Sequence, residues 1–547
     1  IIEKLQENDN LIHQQPFVHS YPHCWRHKTP LIFRATPQWF ISMDQVNFRT
    51  ACLEAIETVE WMPDWGKERI QGMIESRPDW CISRQRFWGV PIPLFIHKET
   101  ESLHPNTVDL LHQVANKVEA HGIDGWFAAS TEDFLGEEGS DYYKTTDTMD
   151  VWMDSGLAHH AVSQNHTNIH FPADLYLEGS DQHRGWFQSS LLTSVAMNAK
   201  APYKQVLTHG FVVDEDGKKM SKSLGNVIAP QTVINNLGAD ILRLWAASTD
   251  YSSEMSISDQ ILKRNSDAYR RIRNTARFLL GNLNDFDSTK DLLPANELLT
   301  LDQWAINRLH EIQAKILEDY TEYAFHRVSQ SLHNFCVVDM GGFYLDVIKD
   351  RLYTTKADSH ARKSAQTVLY HTAESMVRWI APILSFTADE VWQFLPGNRT
   401  ESVFLSEWYQ LPERPNTAVN WSVMDVVQQA AAKALEVARD KGVIGSSLDA
   451  SLTFYVDNEL AELLTSFGEE LHFLFITSDA TIASTDDIPK GAIATDGIAV
   501  SVVKSQHQKC IRCWHKDESV GQTSEHSELC ARCIGNVMGE GEVRLHF

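Results

Sequence analysis

Hydrophobic positions follow two different patterns along the chain. Between Phe48 and about Tyr251, short apolar runs such as 174–177 and 206–213 alternate with stretches that carry hydrophobic residues at helical spacing. This alternation predicts a parallel sheet with crossover helices. A polar and acidic stretch from about 97 to 146 interrupts the alternation, and we interpret it as a subdomain inserted into this scaffold.

Helical periodicity dominates after Ser252. The segments 301–323, 325–348 and 364–386 have hydrophobic residues three and four positions apart, which is typical of amphipathic helices. Several long helices in succession predict an antiparallel helix bundle.

A mixed segment follows the bundle. Pro412 and Pro415 mark a junction, and the apolar runs 452–456 and 498–503 predict strands. The chain has 547 residues, which is more than a single hydrophobic core usually spans. The predicted fold class is therefore multidomain, α/β plus α.

Composition limits the possible functions. The chain is 43% hydrophobic and 22% charged, as ordinary globular proteins are. It has no apolar run long enough for a membrane span and no signal-peptide pattern, so we expect no membrane contact and a cytoplasmic location. The net charge of -25 argues against a protein that coats polyanions, but not against a local basic surface.

One basic cluster stands out against this acidic background. Between positions 263 and 277 lie six basic residues and the single acid Asp267. Two interpretations remain open from the residues alone, namely a solvated helix face and a phosphate-binding surface. The six basic residues are Lys263, Arg264, Arg270, Arg271, Arg273 and Arg277.

Four of the eight cysteines form two CxxC pairs. Cys510 and Cys513 are followed, after 16 residues, by Cys530 and Cys533. Two such pairs can converge on one ion, so the spacing predicts a closed, structural four-cysteine site for one Zn²⁺. Disulfide pairing and a redox CxxC are the alternatives, and the expected cytoplasmic location disfavours the first.

A lysine-rich loop follows the apolar run 206–213. Residues 214–226 read DEDGKKMSKSLGN, and Lys219 and Lys222 lie three positions apart. Two such side chains can stabilise the negative charge on a departing pyrophosphate, while Gly217 allows the backbone to move. The alternative is an ordinary solvated basic turn.

A second candidate segment, EGSDQHRGW at 178–186, follows a predicted strand and begins a helix. Such a position lies at the carboxyl edge of a parallel sheet, where nucleotides bind. The Asp181 carboxylate could accept both hydroxyls of a ribose, and Gly179 would permit close approach of the sugar. Asp181 could equally cap the helix.

These motifs together resemble the class I aminoacyl-tRNA synthetases, and specifically their bacterial isoleucyl branch. KMSKS at 219–223 is similar to the second signature of that family. The resemblance runs along the whole chain through HSYPHCWRHKTP at 19–30, FRATPQWF at 33–40, RPDWCISRQRFWGVPIP at 77–93, DVWMDSG at 150–156, YLEGSDQHRGWFQSSL at 176–191 and LGADILRLW at 237–245.

The resemblance implies roles for individual residues. Lys219 and Lys222 would act on the ATP phosphates, and the basic cluster would contact tRNA. Trp88 and Trp186 would line an apolar pocket for the amino-acid side chain. The residues implied to hold ATP and the aminoacyl-adenylate are Glu178, Gly179, Asp181, Gln182, His209, Val212 and Lys222.

It also implies a division into domains. The expected segments are 1–45, the tail of an inserted editing domain; 46–251, the second half of a Rossmann-like catalytic domain; 252–300, a helical region that contacts the tRNA stem; 301–411, an anticodon-binding helix bundle; 412–504, a C-terminal α/β junction; and 505–547, a zinc ribbon.

The implied activity is the ATP- and Mg²⁺-dependent activation of L-isoleucine and its transfer to tRNA(Ile) by a monomer. The family's HxGH signature is absent from these 547 residues, and the first residue is Ile1. We therefore expect a C-terminal portion of the enzyme that is inactive alone. The alternatives are a non-catalytic tRNA-binding protein and an enzyme specific for valine, since one methylene contributes only about 1–3 kcal/mol to discrimination.

Overall fold

The computed structural model describes residues 1–24, 26–221 and 224–547. The chain divides into two compact units, Ile1–His209 and Gly210–Phe547. This division falls inside the segment 46–251, so the lysine-rich loop belongs to the second unit. Within the described ranges, no helix has both the length and the apolar character needed to cross a membrane.

A three-stranded parallel sheet lies at the centre of the first unit. Tyr203–His209 is the middle strand and pairs in parallel with Glu60–Met62 and with Ala173–Gly179. The helix Trp186–Asn198 packs into the core beside it, and its residues 187–195 are all buried. The parallel sheet and crossover helices predicted from the alternating pattern are confirmed.

The interrupting stretch has a small core of its own. Phe95–His97 pairs antiparallel with Tyr142–Lys144, and the helix Thr107–His121 lies between them in sequence. Trp126 is fully buried and its ring meets Phe95 edge-on at 5.5 Å. Separate burial of these side chains is what an inserted subdomain requires.

The remaining elements of the first unit are short. Its other strands are Phe40–Ile41, Trp80–Cys81, Ser83–Arg84 and Thr148–Met149. Its other helices are Ile2–Glu7, Phe48–Glu57, Trp65–Glu75, Asp124–Ala128, Glu132–Leu135 and Val151–Gly156, with 3₁₀ turns at Gln45–Asn47, Gly136–Asp141 and Ser180–Arg184 and a π-helical turn at His159–Gln164.

A helix bundle forms the largest core of the second unit. Its long helices Asp259–Gly281, Thr300–Thr321 and His360–Ile380 each contribute buried side chains to this core. The predicted bundle is thus confirmed. The pattern 325–348 is, however, interrupted: the α-helix Phe325–Asn334 continues as a π-helix, Phe335–Tyr344.

Two glycines permit this change of helix type. A β-carbon at Gly341 would lie 2.9 Å from the Cys336 carbonyl oxygen, and one at Gly342 would lie 3.1 Å from the Val337 oxygen. Both contacts are with the carbonyl five residues earlier, which is the hydrogen-bond acceptor of a π-helix. A 3.6-residue hydrophobic period does not reveal such a change.

A mixed four-stranded sheet follows the bundle. Ala450–Val456 pairs in parallel with Asp479–Ser484 and antiparallel with Ile498–Lys504. Ile493–Thr495 completes the sheet at the other edge. The two strands predicted from the apolar runs are therefore both present and adjacent.

The other helices of the second unit are Pro230–Leu237, Ala239–Ser248, Leu345–Val347, Lys349–Thr354, Ser385–Phe394, Trp421–Asp440, Asn458–Thr465, Leu471–Leu474 and Ala531–Met538. Short 3₁₀ turns lie at Ala295–Glu297, Val403–Leu405, Ser447–Asp449, Gly468–Glu470, Thr485–Asp487 and Ser524–His526. A two-stranded parallel ladder joins Val212–Val213 to Met255–Ser256.

Candidate active site and metal centre

A tight turn at the carboxyl edge of the parallel sheet carries most of the candidate nucleotide ligands. Ala173–Gly179 ends beside His209, which is the partner of Gly179 in the middle strand. A β-carbon at Gly179 would lie 2.9 Å from Asp181 Oδ1 and 3.6 Å from His209 Cε1. Only glycine leaves this carboxylate and imidazole so close to the strand end.

The side chains of the turn are linked by hydrogen bonds. Gln182 Nε2 donates to Asp181 Oδ2 at 3.2 Å, and Gln182 Oε1 accepts from the Trp186 backbone N–H at 3.0 Å. Glu178 and Asp181 are exposed or half-buried, so their carboxylates are available to a ligand. The structure thus brings five predicted residues to one sheet edge: Glu178, Gly179, Asp181, Gln182 and His209.

His183 packs beneath this turn in the core of the first unit, and it was not among the site residues predicted from the sequence. Its side chain is fully buried, between Trp61 and Trp65 at ring distances of 6.2 and 5.6 Å. Burial lowers the pKa of His183, and its Nδ1 lies 3.1 Å from the Ser180 carbonyl oxygen. The neutral ring can donate this hydrogen bond. The only indication in the sequence was that His183 lies within the 178–186 motif.

The two tryptophans predicted for the amino-acid pocket differ in environment. Trp186 stacks on Tyr176 at 4.1 Å with an interplanar angle of 11°, and its Nε1 donates to the Ser155 carbonyl at 2.9 Å. Trp88 is 88% exposed. Trp186 is therefore held by its neighbours, whereas Trp88 lies in solvent, and the pocket stays a prediction.

The lysine-rich loop belongs to the second unit and is partly described. Lys219 is exposed, and its Nζ lies 5.1 Å from the Phe211 ring centroid. Val212 lies in the short strand just before the loop. Lys222, the second predicted phosphate ligand, lies outside the described residues, as does Ser223.

Asp214 and Asn226 organise the described part of this loop. Asp214 Oδ1 accepts from the Lys218 backbone N–H at 2.8 Å, and Oδ2 accepts from Asn226 Nδ2 at 2.7 Å. Asn226 Oδ1 in turn accepts from the Ser221 N–H at 2.9 Å. The hydrogen bond from Asn226 is the main cause of a lowered pKa at Asp214. The sequence pattern did not reveal this pair, although the residues flank KMSKS.

The basic cluster lies on one face of the helix Asp259–Gly281. Its six residues are exposed, while Ile272 and Leu279 are buried on the opposite face. At about 100° per residue, the six positions span about half of the helix circumference. Asp267 pairs only with Arg270, at 3.1 Å, among the pairs in the described ranges.

The four predicted cysteine ligands converge. Their Sγ atoms all lie within 4.8 Å of one another, and all four residues are buried. Cys513 Sγ and Cys530 Sγ are 3.7 Å apart, which matches the edge of about 3.8 Å of a tetrahedron with Zn–S bonds of about 2.3 Å. The eight cysteines form no disulfide. These residues therefore fit a closed, structural zinc site.

Comparison with known proteins places three families along the chain. Residues 6–258 match tRNA synthetases class I (I, L, M and V). Residues 302–454 match the anticodon-binding domain of tRNA ligase. Residues 508–535, which include all four cysteines, match a zinc finger found in FPG and IleRS.

Curated relatives are similar over the entire chain. Isoleucine–tRNA ligase from Saccharophagus degradans is 56% identical over 548 residues, and that from Teredinibacter turnerae is 55% identical over 550. Each alignment covers 100% of this chain and 59% of the relative, so the chain spans about three fifths of these proteins. The chain is thus similar over its whole length to isoleucine–tRNA ligases, and along it follow in order the regions that match class I tRNA synthetases, the anticodon-binding domain of tRNA ligase and this zinc finger.

Proposed function

We propose that this chain contributes to the ATP-dependent activation of isoleucine and its transfer to tRNA(Ile), with release of pyrophosphate and AMP. The observation that carries the proposal is the group at the carboxyl edge of the parallel sheet, where Gly179, Asp181 and His209 meet. Nucleotides bind at this edge of open α/β sheets.

The geometry suits adenylate formation because this reaction needs positioning more than covalent catalysis. The isoleucine carboxylate attacks the α-phosphate of ATP, and pyrophosphate leaves. Asp181, beside a strand end without a β-carbon, would accept the ribose hydroxyls. Glu178 would bind the ammonium group of isoleucine, and Gln182 would lie by the acyl phosphate. His209 and the Val212 backbone would contact adenine.

Charge stabilisation is assigned to the lysine-rich loop. Lys219 and Lys222 would bind the phosphates that leave as pyrophosphate. Asp214 and Asn226 would hold the start and end of the loop in place through their hydrogen bond of 2.7 Å. Mg²⁺ would accompany ATP and offset part of its charge.

Recognition of the amino acid and of tRNA is assigned to separate surfaces. Trp186, fixed by its stacking on Tyr176, would form one wall of the isoleucine pocket, and Trp88 would complete it when the ligand binds. The basic face of Asp259–Gly281 would contact tRNA phosphates. We propose a monomer that acts in the cytoplasm.

The test is isoleucine-dependent ATP–pyrophosphate exchange by this chain combined with the part of the Saccharophagus degradans relative that it does not match. Asp181→Ala and Lys222→Ala should each lower the exchange rate at least about 100-fold, while isoleucine binding changes less than about twofold. Glu215→Gln, an exposed change on the same loop, is the control and should match the parent. An unchanged rate for either alanine variant refutes the role of that residue.

A further inference from the structure

A cavity of about 280 Å³ lies beside the candidate nucleotide turn, entirely within the first unit. Three arginines line it, Arg77, Arg84 and Arg184, together with the two acidic residues Asp79 and Asp150. An excess of cations is notable in a chain whose net charge is -25. The partners of each charge decide whether the cavity can take an anion.

Asp150 is fully engaged by its neighbours. Its Oδ2 accepts from Arg84 Nη2 at 2.8 Å and from Trp80 Nε1 at 3.0 Å. Its Oδ1 accepts from the Trp152 backbone N–H at 3.3 Å. Arg84 and Asp150 therefore form a direct ion pair, whereas Asp150 acts on Arg77 as a nearby negative charge.

Arg77 is compensated less directly, by the nearby charge of Asp150 and by the Trp80 ring, whose centroid lies 5.6 Å from Arg77 Cζ. Its Nη1 donates to the neutral Gln188 Oε1 at 2.6 Å, and Gln188 is itself only 4% exposed. Arg77 Nε is buried and has no hydrogen-bond partner among the described residues. Burial lowers the pKa of Arg77, since a half-buried guanidinium loses hydration. An anion in the cavity would supply a further negative charge and the missing acceptor.

The cavity also receives the start of a long helix. Gly185, Gln188 and Ser189 line it, at the N-terminal end of the 13-residue helix Trp186–Asn198. The positive end of the helix dipole adds to the field of the arginines. Charge, an unused donor and a helix terminus all favour an anionic ligand.

We propose that this cavity binds a phosphodiester group near the single-stranded 3′ end of the RNA substrate, between Arg77 and Arg184. Arg184 ends the same turn that carries Asp181, so a phosphate held there would bring the terminal ribose towards the adenylate. Trp152 lines the cavity and is 40% exposed, and an exposed aromatic ring beside arginines suits single-stranded RNA. The assignment rests on the proposed function.

The test measures how much the 3′ end adds to tRNA affinity. The 547-residue chain is titrated with a tRNA(Ile) transcript and with the same transcript lacking its four 3′-terminal nucleotides. The parent should bind the intact transcript about tenfold more tightly. Arg184→Gln, an exposed change on the turn, should reduce that advantage to about twofold or less, and so should Arg77→Gln. The control, Arg69→Gln, removes an exposed arginine outside the cavity and should keep the full advantage.

Salt dependence separates phosphate binding from a structural effect. In each glutamine variant of the cavity, the slope of log affinity against log salt for the intact transcript should become shallower by about 0.7 for every phosphate that the variant no longer binds. Because Arg77 bonds to a buried glutamine, its variant is also checked by circular dichroism, and Arg184→Gln carries the result if Arg77→Gln unfolds.

The possible outcomes are distinct. An undiminished advantage of the intact transcript in Arg184→Gln overturns the site. If trimming leaves the parent's affinity unchanged while Arg184→Gln weakens pyrophosphate binding, a free phosphate is the ligand and the RNA assignment is wrong. If the parent binds neither transcript, this site fails together with the tRNA-binding part of the proposed function, whereas the activation of isoleucine is tested separately by pyrophosphate exchange.

Discussion

Asp350 connects the helix bundle to the zinc ribbon through ion pairs. It lies in the helix Lys349–Thr354, where its oxygens accept from Arg532 Nη1 and Nη2 at 2.6 and 2.9 Å and also from Arg544 Nη2. The Asp350 and Arg544 side chains are 13% and 2% exposed. Asp350→Asn keeps the shape of the side chain but removes the charge between two buried cations.

The expected loss of stability depends on the charges that remain around the two arginines after the substitution. Glu542 still contacts Arg532 at 3.2 Å and Arg544 at 3.0 Å, so two guanidinium groups share one carboxylate. Breaking a buried ion pair by removing one partner costs about 3–5 kcal/mol. We take the lower end, about 3 kcal/mol, because of Glu542. This cost raises the undocked population roughly 100-fold, at about 1.4 kcal/mol per factor of ten.

The assay is the rate at which a chelator removes zinc from the loaded chain, since undocking exposes the ribbon. Asp350→Asn should release zinc about 100-fold faster. Asp346→Asn is the matched control, because Asp346 and Lys349 form an exposed pair at 2.6 Å with 46% and 50% exposure, worth less than about 1 kcal/mol. Its release rate should change less than about fivefold. Equal rates for the parent and Asp350→Asn would refute the anchoring role.

Three further results are expected. Cys530→Ser should lower bound zinc from one ion to none per chain and unfold the ribbon, as atomic absorption and amide exchange would show; retained zinc would contradict the assignment of four cysteine ligands. Glu374 is buried. Burial raises the pKa of its carboxyl group, but Arg399 and Arg378 lower this pKa by more, so the net shift is downward. The ionised carboxylate should therefore stabilise the fold above its unfolded pKa of 4.5, and this stabilisation should be lost as pH falls. Glu374→Gln should lower the free energy of unfolding by about 3 kcal/mol above about pH 5 and by less in acid. A difference that does not change with pH would count against this. Asn226→Ala removes the hydrogen bond to Asp214 and should lower pyrophosphate exchange by about tenfold; an unaltered rate would exclude a role for this bond in holding the loop.

Local patterns explain why much of the fold and site could be predicted. The alternation around 174–177 and 206–213 reflects strands buried in a parallel sheet, and strand ends in such a sheet share one edge. This geometry places Gly179, Asp181 and His209 together. The cysteine spacing is equally local, because a CxxC turn directs two thiolates to one point.

Contacts between distant residues could not be predicted in this way. Asp350 and Arg532 are 182 positions apart, and Arg77 and Gln188 are 111 apart, so neither pair leaves a periodic signal. The π-helix Phe335–Tyr344 was missed because it lies inside the longer segment 325–348, whose hydrophobic residues were interpreted as one α-helical pattern. His183 was missed because its role depends on burial between two tryptophans brought from elsewhere in the chain.

Isoleucine-dependent ATP–pyrophosphate exchange tests the central claim most directly. It is measured on this chain alone, on the unmatched part of the Saccharophagus degradans relative alone, and on the two combined. Exchange is expected only in the combination, because this chain carries the candidate nucleotide turn and the lysine-rich loop, while the HxGH signature of the resembled family is absent from its 547 residues. Absence of isoleucine-dependent exchange from a folded combination would contradict the proposed activity.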